Sequence, residues 1–137
     1  MSGAKNVRVK PVKIEIDGNV YEVKYDFNAF IELEEIYGSI EEAMEAMQGE
    51  IVLGKDGKPI IVKDEDNNDV EKRKFSLKAM RDFLWAGMLF GDDKITKRTI
   101  GKLLEFGNFQ YVVEKMMSAI TGALPEKIKE EAVDGKN

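Results

Sequence analysis

Acidic, basic and hydroxyl side chains must carry any catalysis in this chain, because its 137 residues include neither cysteine nor histidine. Without cysteine, disulfides and thiolate metal sites are excluded, and without histidine the imidazole base and the commonest metal ligand are missing. Aspartate, glutamate, lysine and tyrosine remain, but their spacing singles out no acid–base pair. We therefore expect a protein that is not an enzyme and that uses no cofactor or metal ion.

One segment matches the glycine and lysine spacing of a phosphate-binding loop. It runs from Gly49 to Lys55, and such loops surround phosphate oxygens with backbone amides and the lysine. Asp56 stands where the motif needs a hydroxyl that binds Mg²⁺, and its charge would repel phosphate. Gly57 and Pro59 also prevent the helix that should follow. The segment favours a hairpin loop without a ligand.

A second segment matches part of a calcium-binding loop. Asp64, Asp66 and Asn68 occupy the first, third and fifth positions, where oxygen ligands are needed. Asp69 replaces the required glycine, and Phe75 replaces the bidentate glutamate. The sequence therefore favours a solvated acidic loop, with weak cation binding as the alternative.

The charge is distributed unevenly along the chain. The net charge is −5, and residues 14–50 carry eleven acidic residues against Lys24 alone, whereas residues 1–13 carry four cations. This balance argues against nucleic-acid binding, which usually needs a positive field. Glutamates of the first two predicted helices form an acidic surface, which is either a solvated face or a docking patch for a basic partner. These glutamates are Glu32, Glu34, Glu35, Glu41, Glu42 and Glu45.

Glu34 is unusual among these acids, because helical spacing places it in an apolar stripe, with Phe27 and Phe30 on one side and Tyr37 on the other. Three interpretations remain open at this point. Its carboxylate extends to solvent, pairs with a cation such as Arg81, or contacts a partner.

The elements that position these residues begin with a β-hairpin. Residues 12–16 and 20–25 alternate between apolar and polar side chains, and Asp17-Gly18-Asn19 supplies the turn. Five helices follow, each predicted from a capping residue and apolar residues at helical spacing. The caps are Asp26, Ser39, Ser76, Thr96 and Asn108, and the helices end at or near the glycines at 38, 49, 91, 107 and 122.

The predicted fold is therefore an α+β domain, mainly helical, with the hairpin packed on about five helices. It spans residues 12–124, preceded by a flexible basic leader at 1–11 and followed by a charged tail at 125–137. Residues 49–74 interrupt the pattern as an insertion, for which we expect a second small hairpin followed by a mobile polar segment from Lys63 to Lys74. No long apolar run and no signal peptide is present, so we expect a soluble intracellular protein without a membrane partner.

The order of these signals resembles the tail assembly chaperones of long-tailed bacteriophages and prophages. The resemblance rests on Val23 to Glu35 (VKYDFNAFIELEE), on the following glycine–serine break with Ile40, and on Leu77 to Met88 (LKAMRDFLWAGM). It covers residues 12 to about 122 and treats residues 50–74 as a variable insertion.

The resemblance implies a mostly helical protein of the host bacterial cytoplasm that binds the tape measure protein and is not retained in the virion. In that family a longer product, made by translational frameshifting, recruits the tail tube protein. We expect the helices around residues 27–37 and 77–89 to form an apolar groove for the tape measure, with acidic faces setting orientation, and we expect that copies of the chain associate. The expected partner-binding residues are Phe30, Glu32, Glu34, Glu35, Tyr37, Trp85 and Met88.

Two other classes of function stay open. A small structural tail protein would make contacts through its hairpins, but the four strand segments expected at most are few for a tube built from sheets. An acidic decoy would occupy a nucleic-acid-binding protein by imitating phosphate spacing, which the acidic residues between 14 and 50 motivate.

Overall fold

The computed structural model describes residues 10–124 and confirms the predicted fold class, an α+β domain that is mainly helical. The predicted leader and tail lie outside these residues, except for Lys10 and Pro11. None of the helices within the described part is long and apolar enough to cross a membrane. The elements are β1 (Val12–Ile16), β2 (Asn19–Val23), α1 (Phe27–Tyr37), α2 (Ile40–Gln48), β3 (Glu50–Ile51), β4 (Ile61–Lys63), β5 (Asp69–Glu71), β6 (Arg73–Lys74), α3 (Leu77–Met88), α4 (Lys97–Leu103) and α5 (Phe109–Ala123).

The N-terminal hairpin forms as predicted. β1 and β2 pair antiparallel, and the two turn residues, Asp17 and Gly18, have φ values of 52° and 80°. Positive φ at both positions is typical of the type I′ turn, whose twist matches that of the paired strands. Ile14, Ile16 and Val23 are buried, because β1 packs against α5 and β2 packs against α3. The helices therefore supply the partners that an isolated hairpin lacks.

Four of the five predicted helix caps are confirmed. In each, the side-chain oxygen accepts a hydrogen bond from the backbone N–H three residues later, which satisfies a donor that the helix itself leaves free. The four caps are Asp26, Ser39, Ser76 and Thr96, with donor–acceptor distances between 2.9 and 3.1 Å.

The fifth predicted cap, Asn108, occupies the N-cap position of α5, but its side chain forms no capping hydrogen bond with the described part of that helix. The Asn108 Nδ2 donates to the carbonyl of Leu103 at 2.9 Å, and its Oδ1 accepts from the Glu105 N–H at 2.9 Å. The side chain therefore stabilises the loop before α5 instead of the first turn of α5. α4 ends at Leu103, where Leu104 takes an extended conformation, and does not continue to Gly107 as predicted.

The core is built around α3, which packs against β2, α1, α2, α4 and α5. The ring of Tyr25 lies directly over Gly87 of α3, and its hydroxyl donates to the Phe83 carbonyl at 2.7 Å. The Lys24 N–H donates to the Gly87 carbonyl at 2.8 Å, which fixes the end of the hairpin on the helix. A glycine is needed here because a Cβ atom at position 87 would lie 2.8 Å from Cζ of Tyr25.

The insertion consists of short paired strands. β3 pairs with β6 and β4 pairs with β5, both antiparallel. The ribbons meet at Val52, Ile60 and Lys72, where each of the three backbone N–H groups donates to the carbonyl of another of the three. The polar segment from 63 to 74, predicted to be mobile, contains β5 and β6 and the turn that precedes them.

Candidate functional site

The outward side of α1 exposes apolar and acidic side chains in one stripe. Phe27 is 83% and Ile31 42% exposed, and Glu34 and Glu35 are exposed on the following turns. Residues separated by four, seven or eight positions lie on the same side of a helix. These four side chains have those spacings and therefore form one continuous surface. We call Phe27, Ile31, Glu34 and Glu35 the α1 stripe. Large apolar side chains next to charges at the surface are typical of sites that bind another protein.

The opposite side of α1 faces the core. Ala29 and Leu33 are buried, the ring centroid of Phe30 lies 6.0 Å from that of Tyr25, and that of Tyr37 lies 6.3 Å from that of Phe83. The space expected to form an apolar groove between α1 and α3 is thus filled by the side chains of these helices. Sequence reasoning missed Phe27 and Ile31 as surface residues, although their spacing relative to Leu33 contained the signal.

The acidic side chains on α1 and α2 are mostly exposed. Glu34 and Glu35 are exposed and Glu32 is half-buried, while the α2 acids Glu41 and Glu42 are exposed near the start of the next helix. Within residues 10–124, no lysine or arginine lies within ion-pair distance of these carboxylates. The unpaired charges give this side of the domain a negative potential that can attract and orient a basic partner.

Glu34 does not pair with Arg81, so that interpretation is wrong. Arg81 lies next to Asp82, with 3.6 Å between its Nη2 and the Asp82 Oδ1. The Glu34 side chain is exposed, and within the described residues it forms no ion pair. Its carboxylate extends to solvent, where a partner can reach it.

A buried carboxylate joins α1, α3 and α4. Asp82 is fully buried, and its Oδ2 accepts hydrogen bonds from Lys78 Nζ at 2.7 Å and from the Tyr37 hydroxyl at 3.0 Å. Its Oδ1 lies 3.6 Å from Arg81 Nη2 and 3.8 Å from Lys97 Nζ. Burial, together with the hydrogen bond to Asp82, raises the pKa of Tyr37, so this hydroxyl stays protonated and keeps donating.

Sequence reasoning missed Asp82 as a structural centre, although one signal was available. Its spacing relative to Ala79, Phe83 and Ala86 places a carboxylate on the buried face of α3. A buried carboxylate needs cations or hydrogen-bond donors close by, and Lys78 one turn earlier is one of them.

The two predicted site residues of α3 lie apart from the α1 stripe. Trp85 is half-buried, its Nε1 donates to the Ile95 carbonyl at 3.0 Å, and Lys97 Nζ lies 4.9 Å from its ring centroid. Met88 is 7% exposed and belongs to the core. A partner therefore does not reach Met88 in this conformation, and its role in binding stays a prediction.

The segments that resemble a phosphate-binding loop and a calcium-binding loop both form turns between paired stretches of backbone. After Gly54 the chain turns through Gly57 into a bridge between Leu53 and Pro59, where a phosphate-binding loop would continue into a helix. The Asp64 Oδ1 accepts hydrogen bonds from the N–H groups two and four residues later, which stabilises the turn. Within the described residues, no group of three or more acidic side chains is arranged to hold a metal ion.

Comparison of the chain with protein-family models, with curated proteins and with solved structures finds no match.

Proposed function

We propose that this protein is a tail assembly chaperone of a long-tailed bacteriophage or prophage that binds the tape measure protein through the α1 stripe. The observation that carries the proposal is the exposure of Phe27 and Ile31 beside carboxylates that have no cation partner within residues 10–124. The sequence resemblance across residues 12 to about 122 supports the class of partner. The protein acts in the host bacterial cytoplasm and leaves before the virion is complete.

The physical task of such a chaperone suits a small helical domain. A tape measure protein is a long helical protein with apolar stripes that water contacts until the tail tube encloses them. Covering such a stripe with Phe27 and Ile31 removes apolar area from water on both partners, and each fully buried side chain of this size contributes on the order of 1.5–3 kcal/mol. A long filament offers many equivalent stretches, so several copies of the chain bind along it.

The acidic side chains of α1 and α2 give this contact its direction. Lysine and arginine residues beside the apolar stripe of the tape measure approach the negative side of the domain, which raises the association rate and disfavours wrong registers. A longer frameshifted product carries the same domain, and its additional segment recruits the tail tube protein. None of these steps requires a catalytic residue.

The test is charge reversal on α1 with a matched control elsewhere. The variant E32K/E35K and the control D93K/E114K change the net charge by the same amount, but Asp93 and Glu114 are exposed outside α1 and α2. Each protein is co-expressed with the tape measure protein and recovered by affinity pull-down at low and high salt. We expect at least about tenfold less tape measure with E32K/E35K and no change with the control, while circular dichroism shows both variants folded.

Equal recovery with both variants would remove the acidic surface from the mechanism. Capture of a DNA-binding protein in place of a helical tape measure would support the acidic decoy and contradict the proposal. Finding the protein in purified particles would support a structural tail protein.

A further inference from the structure

A cavity of about 400 Å³ lies between the start of α3 and the loop that follows α4. Its apolar walls are Leu77, Met80, Leu104, Phe106 and Phe109. Leu77 is 60% and Phe106 82% exposed, so the apolar surface continues from the cavity onto its rim. The volume falls within the range of about 300–1,000 Å³ in which proteins hold ligands. None of the expected partner-binding residues lines it.

Arg81 lies in the wall of this cavity with unused hydrogen-bonding capacity. Three cations surround Asp82, but Lys78 donates to it directly and Lys97 lies over an aromatic ring. Arg81 approaches Asp82 no closer than 3.6 Å and, within residues 10–124, forms no hydrogen bond. Its Nε is buried, but the side chain as a whole is 38% exposed, so part of it is open to a ligand. One carboxylate among three cations also leaves the cluster with a net positive charge.

We propose that this cavity binds an acidic amphipathic helix of a partner protein. Two apolar side chains one turn apart enter the cavity, and a carboxylate of the same helix binds the guanidinium of Arg81. A carboxylate is the acceptor that matches the fork of N–H donors on arginine. The apolar rim extends the contact beyond the cavity, which suits the length of a helix lying in a groove. Glu105 also lines the cavity and repels any second acidic side chain of the bound helix. The helix therefore binds in the one register that places its single carboxylate at Arg81.

This inference does not depend on the proposed function, because the cavity contains no residue of the α1 stripe or of the acidic surface. The variant E32K/E35K should therefore leave binding at the cavity unchanged. Failure of the chain to bind a tape measure and failure of the cavity to bind a helix are therefore distinguishable results.

The experiment measures the binding of a defined peptide to the full chain by fluorescence anisotropy. The probe is a labelled alanine-based helix with two leucines four residues apart and one glutamate between them, and a second probe has glutamine in place of the glutamate. Arg81→Gln removes the proposed anchor, and Arg98→Gln removes the same charge at an exposed position of α4 outside the cavity. Gly101→Leu fills the cavity, because a Cβ atom there meets Arg81 Cδ at an unstrained 3.6 Å.

We expect R81Q to weaken binding of the glutamate probe at least about tenfold and R98Q to leave it unchanged. The glutamine probe should bind the wild-type chain as weakly as R81Q binds the glutamate probe, and G101L should bind neither. Equal losses in R81Q and R98Q, full binding by G101L, or no binding to the wild-type chain at millimolar peptide would each overturn the proposal. Binding of 2-naphthoate without either peptide would identify a small-molecule site, and self-association abolished by G101L would identify a second copy as the occupant.

Discussion

Replacing Gly87 with alanine tests the contact that holds the hairpin on α3. The added Cβ would lie 2.8 Å from Cζ and 3.0 Å from the hydroxyl oxygen of Tyr25, and Tyr25 has no room to move because it is 1% exposed. Overpacking of this kind costs about 1–3 kcal/mol. Losing the hydrogen bond from Tyr25 to Phe83 costs about 1 kcal/mol more, and the better helix propensity of alanine returns about 1 kcal/mol.

The net expectation is that Gly87→Ala lowers the free energy of unfolding by about 1–3 kcal/mol. For a chain of this size the midpoint of thermal unfolding should fall by about 4 °C for each kcal/mol. Urea unfolding followed by circular dichroism measures the free energy. Gly122→Ala is the matched control, because position 122 is also helical and, outside the backbone of α5 itself, no described residue lies within 4 Å of a Cβ atom there. The reasoning fails if G87A is as stable as the wild-type chain, or if G122A loses as much.

Three further predictions follow from the buried cluster, the tyrosines and the α1 stripe. Asp82→Asn removes the charge that faces three cations and should lower the free energy of unfolding by about 2 kcal/mol in urea titrations; unchanged stability would contradict the role of the carboxylate. Burial raises the pKa of Tyr25 and, with a hydrogen bond, that of Tyr37 above their ordinary value of 10. The contribution of these two hydroxyls to stability should therefore be constant between pH 8 and 10 and be lost as the pH rises further, which thermal unfolding between pH 8 and 11 measures. Phe27→Ala should leave the free energy of unfolding within about 0.5 kcal/mol of wild type, because Phe27 is 83% exposed, while lowering the affinity for a tape measure at least about tenfold; a collapse in stability would show that this side chain belongs to the core.

Local features of the fold could be predicted from the sequence because they depend on neighbouring residues. Asp26 and Ser76 each cap the helix that starts one residue later, and the turn at Asp17 and Gly18 needs only its own backbone angles. Asn108 shows the limit of this reasoning. Its side chain has carbonyl and N–H partners in the preceding loop, and these compete successfully with the first turn of α5.

Features that depend on residues far apart in the sequence could not be predicted from it. The register that pairs Glu50 with Lys74 joins residues on either side of the whole insertion, and a polar composition alone does not reveal it. The cluster around Asp82 likewise draws Tyr37 and Lys97 from helices far apart in the chain. The site predicted from the sequence and the one proposed from the structure both use α1, but exposed apolar residues could be separated from core residues only once α1 was seen packed on α3.

The most direct test of the central claim is to identify what the wild-type chain binds. It is co-expressed with the proteins encoded in neighbouring reading frames and recovered through a salt wash, and the retained proteins are identified by mass spectrometry. The account predicts recovery of a long helical tape measure protein and absence of this chain from purified particles. Recovery of no such protein, with the chain present in assembled particles, would contradict it.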